Sequence, residues 1–122
     1  MMSRNCPEYT DGFFDLYRIK ESEESDFPEQ YYEDTGLHGV WYKELSVFDK
    51  LRYTLDEQGK EVTMKIVIPQ YRGIDSHCAC LINGTFHQVY NAAHIISKKG
   101  FPETELTLIR PENNREVLDA AD

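Results

Sequence analysis

The side chains with the most capacity for chemistry fall in one stretch of the chain: His77, Cys78 and Cys80, followed by His87 and His94. Cysteine and histidine in that combination could hold a zinc ion at tetrahedral separation, or form a nucleophile–base pair. Spacing argues against both. The stretch around Cys78-Ala79-Cys80 is apolar and reads as a strand, in which successive side chains point to opposite faces. The two cysteines then share one face and His77 takes the other. Structural zinc favours cysteine pairs in turn-borne knuckles over alternate positions of a strand. No strand-to-helix elbow or helix N-terminus accompanies Cys78 to activate its thiol. Both cysteines are expected to pack as small hydrophobes.

Carboxylates are abundant in residues 21–34, ESEESDFPEQYYED, where seven of fourteen residues are acidic. A flexible acidic run cannot hold the fixed separation that acid–base catalysis requires. It reads as a solvated, self-repelling loop extending to residue 36, dispensable for folding, whose Phe27, Tyr31 and Tyr32 could dock on the domain or on a partner. Phosphate-binding glycine motifs and the H-E-x-x-H zinc motif are absent from the sequence. Asn83-Gly84-Thr85 matches a glycosylation acceptor, but a hairpin turn explains it. The sequence therefore predicts no catalytic residues, no metal, no cofactor and no enzymatic activity.

The 122 residues include 13 Lys+Arg and 22 Asp+Glu, a net charge of −9. Such a balance gives no counterion-release gain on nucleic acid, so duplex DNA should bind feebly at physiological salt. Exposed strand aromatics could stack bases, but a stacking platform also needs a positive groove. Only Lys98, Lys99 and scattered basic residues are on offer, so Phe86, Tyr90 and Tyr53 are expected to fill a barrel. No apolar run reaches the ~18 residues of a membrane span. The opening MMSRNCPEYT lacks the apolar stretch of a signal peptide, and the three cysteines are too few and odd for a disulfide framework, so a reducing cytosol is expected.

The elements that must position these residues are mostly short strands. Residues 13–20 place Phe14 and Leu16 on one face and Phe13, Tyr17 and Ile19 on the other. Residues 41–50 fit a short helix or an irregular strand entry. Leu51, Tyr53 and Leu55 then alternate, residues 57–60 form a turn, and Val62, Met64, Ile66 and Ile68 alternate up to Pro69, which predicts a hairpin over 50–69. A second hairpin joins 77–82 to 85–96 through Asn83-Gly84, the pair favoured where both turn residues need positive φ. After a loop at 97–100, residues 103–110 make a closing strand, and 112–122 a short helix or frayed tail. The core should include Leu16, Met64, Ile66, Ile68, Leu106 and Leu108. The expected fold class is all-β, a small single-domain barrel or sandwich of about six antiparallel strands with a long acidic loop. The domain spans 1–111 and a flexible polar tail 112–122.

Several stretches together resemble one family. YTDGFFDLYR at 9–18 is similar to the opening of the head–tail adaptor, or head-closure, proteins of long-tailed bacteriophages and prophages. KIVIPQY at 65–71 resembles their central strand end, and Asp75-Ser76 the step into the next strand. Asn83-Gly84 with His87-Gln88-Val89-Tyr90-Asn91-Ala92 resembles their hairpin, and GFPETELTLIRP at 100–111 their closing strand. The matches run in order over 9–111. The resemblance implies a β-barrel subunit of a ring in the virion neck, made in the host cytoplasm, stacked under the portal and adaptor and docking the tail terminator. Packaged DNA would pass without sequence-specific binding. It implies no catalytic, cofactor or metal residues and no membrane contact. A tail-completion or terminator subunit and a generic cellular protein-binding module remain alternatives.

Overall fold

A computed structural model describes residues 9–21, 30–111 and 116–118. The chain runs β1 (Gly12–Glu21), β2 (Gln30–Asp34), β3 (Val40–Leu45), α1 (Asp49–Glu57), β4 (Val62–Pro69), β5 (Cys78–Ile82), β6 (Thr85–Ile96), β7 (Pro102–Ile109) and β8 (Glu116–Leu118). Strands pair in the order β3-β4-β7-β6-β5-β1, and β3 pairs again with β1. This closes an antiparallel six-strand barrel. The all-β reading holds.

β1 makes closure possible by changing partners along its length. Its first residues, Gly12 to Phe14, pair with β3, while Tyr17 to Glu21 pair with β2. On its other side Asp15 to Arg18 pair with β5 throughout the changeover. β2 therefore lies outside the barrel, and β8 pairs with it in parallel.

Alternation fills the interior as the sequence predicts. Phe14 and Leu16 from β1, Ile66 and Ile68 from β4, Cys78 and Cys80 from β5, Val89 from β6, and Leu106 and Leu108 from β7 are all buried in one cluster. Met64, expected with them, is only partly buried beside a register shift between Val62 and Met64. Asn83 (φ 51°) and Gly84 (φ 78°) make the expected turn with both residues at positive φ.

Four expectations need correction. Residues 50–69 are not a hairpin: 49–57 form α1 and only β4 is a strand. Leu51 and Leu55 satisfy helical spacing as well as alternation, and β4 already has β3 and β7 on its two sides. A further strand would find no free edge there. Instead the helix sets Leu55, 1% exposed, against Val62 and Ile109, with Val47, Leu51 and Tyr90 around them. Secondly, Tyr53 does not fill the barrel. It points outward from α1, 71% exposed, while Phe86 and Tyr90 are half-buried on the barrel's outer side.

Thirdly, residues 30–34 of the acidic segment are a strand rather than loop, and Tyr32 is 2% exposed. Burying that ring offsets the cost of ordering an otherwise polar stretch. Residues 22–29, with Phe27, lie outside the described residues, as do 112–115 and 119–122 of the tail. Lastly, within that tail 116–118 form β8, neither a helix nor a free end.

Candidate protein-docking surface

The barrel disperses the residues that the sequence puts forward for chemistry. Cys78 and Cys80 face inward with no exposure, while the His77 side chain, 77% exposed, faces solvent. Burial pushes both thiols up, which disfavours the nucleophilic thiolate. His87 bonds through Nδ1 to Thr63 Oγ1 at 2.8 Å, and His94 through Nδ1 to Thr104 Oγ1 at 2.9 Å. These pairs sit at opposite ends of β6. Among the described residues no group of three His, Cys, Asp or Glu side chains is placed to hold a metal ion.

What the barrel does assemble is a set of contact surfaces at two ends. Antiparallel pairing brings the β2–β3 corner (35–39), the β4–β5 loop (70–77) and the β6–β7 turn (97–101) to one end, beside the second half of β1. The opposite end holds α1, the Asn83-Gly84 turn and the start of β1.

At the first end, β1 and β2 continue past the barrel wall as an arm. Tyr32 of β2 stacks on Phe86 of β6 with ring centroids 3.9 Å apart, and Tyr17 meets Phe86 edge-on at 5.1 Å. The small, fully buried Ala79 of β5 lies between their strands, where a larger side chain would hold the rings apart. Arg18 donates to the Gly73 carbonyl at 3.3 Å and faces Asp75 at 3.9 Å, and the Ile19 amide donates to the His77 carbonyl at 2.7 Å. The arm is thus fastened to the β4–β5 loop.

The corner that returns the chain to β3 is fastened equally closely. Thr35 gives both its amide and its hydroxyl to the Leu16 carbonyl, at 3.2 and 2.7 Å. Asp34 accepts from the Gly36 amide at 2.7 Å and meets His38 Nε2 with both oxygens, at 2.7 and 2.8 Å. The Gly36 amide and then His38 hold the Asp34 carboxyl below its usual range, and Asp34 holds His38 above its own.

Large apolar side chains stand exposed on this scaffold. Phe13 and Trp41, paired across β1 and β3 with centroids 5.3 Å apart, are 53% and 52% exposed. Phe48 at the head of α1 and Ile96 at the end of β6 are also exposed. Exposed aromatics of this kind serve protein contacts better than chemistry.

Charge is strongly segregated. Residues 21–34 carry seven acids and no Lys or Arg, and residues 112–122 carry four acids and one Arg, a net −10 between them. The rest of the chain is therefore +1 against a total of −9. The pairing of β2 with β8 sets residues 31–33 of the first segment beside residues 116–118 of the second. Sequence patterning marks the first segment but not its union with the second. Glu33 and its ladder partner Leu118 lie 85 positions apart, counted from 33 to 118, and no local pattern spans such a gap.

Neither the protein-family models nor the curated proteins give a match to this chain.

Proposed function

We propose that this protein is a head-closure, or head–tail connector, subunit of a long-tailed bacteriophage or prophage. It would act as one copy in a ring below the portal and adaptor, retaining packaged DNA and offering a docking surface to the tail. The observation that carries the reading is the position of the resembling stretches in one closed barrel. Residues 9–18 enter β1, 65–71 end β4, 83–92 form the β5–β6 hairpin, and 100–111 contain β7. All of them contribute to a single packed unit in the expected order.

Physical features agree with a contact role. Cys78 and Cys80 are buried and the barrel interior is filled by side chains, so contacts fall to the loops, the arm, α1 and the exposed Phe13 and Trp41 of the barrel wall. A subunit of 14.3 kDa cannot surround a DNA duplex alone, which calls for closed head-to-tail contacts among copies. The acidic segments would let DNA slide without adhering, since like charges release no counterions. The isolated chain would remain a monomer or small oligomer and order into a ring on the portal–adaptor template.

The test is to disable the gene in the phage or prophage and examine the particles. Full-length heads that have lost DNA and lack tails, rescued by adding the protein to extract, support head closure. Normal tailed, infectious virions overturn it.

A further inference from the structure

Phe13 of β1 and Trp41 of β3 stand directly opposite each other in the ladder, with ring centroids 5.3 Å apart and planes tilted by 54°. Both rings are about half exposed, whereas alternation buries their neighbours Phe14 and Tyr42. They form an outward-facing pair on the barrel wall. Asp15 shares that face of β1, and Asp11 lies just before the strand on the other side of Phe13. Both carboxylates are fixed against β3. Asp15 Oδ1 accepts from the Gly39 amide at 2.9 Å, and Asp11 Oδ2 from the Glu44 amide at 2.8 Å. The Lys and Arg ion pairs among the described residues join Arg18 to Asp75, Lys65 to Glu105 and Arg110 to Glu61, so neither carboxylate takes a cation there. A Cβ added at Gly39 would meet no atom within 4 Å, so the space around it is open.

An exposed aromatic pair alone would accept any apolar partner. Here such a partner would cover carboxylates without supplying a counter-charge, and desolvating unpaired charge is costly. A nucleotide would stack on the rings but set its phosphate against the same acids and a net charge of −9. A second copy would carry that same net charge. An arginine suits every group present: its planar guanidinium stacks on aromatic faces, and its fork of N–H donors fits a carboxylate. We propose that Phe13, Trp41 and Asp15 form a docking site for an arginine side chain on an exposed segment of a partner protein. The guanidinium lies over Trp41 and Phe13 and donates to Asp15. Its methylene stem runs along Leu81, which stands opposite Asp15 on β5. Lys43, two residues beyond Trp41 on the same face, opposes the incoming charge and so favours the Asp15 side. The site does not rest on the neck reading, and its failure would leave the particle test untouched.

Trp41 is the single tryptophan of the chain, so its fluorescence reports on this site alone. The experiment titrates the full chain with a short glycine–serine peptide carrying arginine at its centre. The same peptide with citrulline, a neutral isostere of arginine, is titrated in parallel, and N–H signals are followed by NMR. We expect a saturable change in Trp41 fluorescence with the arginine peptide, and shifts at the Trp41 indole and the Gly39 amide. Affinity should be ~10-fold lower for the citrulline peptide. Asp15→Asn keeps an oxygen for the Gly39 amide but loses the charge, and should weaken binding ~5-fold. Lys43→Gln, at an exposed position, should strengthen binding ~2-fold, a gain that misfolding does not produce. The proposal is overturned if the arginine peptide does not bind, if the citrulline peptide binds equally well, if the shifts fall elsewhere, or if neither variant changes the affinity. It is also overturned if the chain self-associates in sedimentation and Trp41→Ser abolishes that association, because the pair is then an interface between copies.

Discussion

The ring of Tyr32 lies flat on that of Phe86, with centroids 3.9 Å apart and planes 9° from parallel. This contact joins β2, which is outside the barrel, to β6 in its wall, across a gap of 54 residues counted from 32 to 86. It anchors β2, the strand at residues 30–34 of the acidic stretch, to the barrel.

Truncating either ring should therefore loosen the arm. Tyr32→Ala and Phe86→Ala are each expected to destabilise, and a double-mutant cycle should return a coupling of about 0.5–1.5 kcal/mol, the usual worth of an aromatic pair beyond area burial. Denaturant melts of the four proteins measure it. Additive effects would mean that the stacking carries no energy of its own. Deleting 21–34, which the sequence alone marks as dispensable, should now cost stability, because it removes Tyr32 and uncovers Phe86.

Ile66 has no exposure in the main core, so Ile66→Ala should cost about 2–5 kcal/mol. Met64, only partly buried in the same strand, should lose less on truncation. Equal losses in urea melts would contradict the packing.

Gly12 and Gly73 form a matched pair for testing burial. A Cβ on either would come within 2.7 Å of the Cζ atom of a tyrosine, Tyr42 for Gly12 and Tyr71 for Gly73. Tyr42 is 4% exposed and locked in the core, whereas Tyr71 is 41% exposed and can swing aside. Gly12→Ala should cost about 1–3 kcal/mol as an overpacked site, and Gly73→Ala should be close to neutral. Thermal melts giving the reverse order would refute this.

Two histidines should titrate on opposite sides of the ordinary value of 6.5. The bond to Asp34 raises His38, so its contribution is fully present below pH 6.5 and lost as pH rises through the higher folded value. Asp34 is lowered, so its contribution is present above 3.8 and lost as pH falls through the lower folded value. The corner is thus tightest between those limits. Burial lowers His87, whose contribution is present above pH 6.5 and lost as pH falls through its folded value. Imidazole NMR titrations should give a midpoint above 6.5 for His38 and below it for His87, and Asp34→Asn should bring His38 back down.

The two buried thiols should resist modification. In a Cys6→Ser background, Cys78 and Cys80 should react with a thiol reagent at mildly alkaline pH only as the barrel unfolds, because burial raises both pKa values. Rapid labelling of the native protein would show that β5 opens readily.

Period-two alternation by itself makes most of the barrel legible. It marks the inward faces of β1, β4 and β7, separates the cysteines from His77, and leaves Asn83-Gly84 as a turn that needs positive φ at both positions. Those features depend on neighbours within a few residues, so the chain states them locally. Tertiary structure decided the rest. Leu51 and Leu55 suit a strand as well as a helix, and α1 prevails because β4 has no free edge and Val62 and Ile109 need covering. Residues 30–34 look like solvated loop until Tyr32 meets Phe86. Residues 31–33 and 116–118 come together only in the β2–β8 ladder, a contact between distant residues that composition and periodicity do not encode.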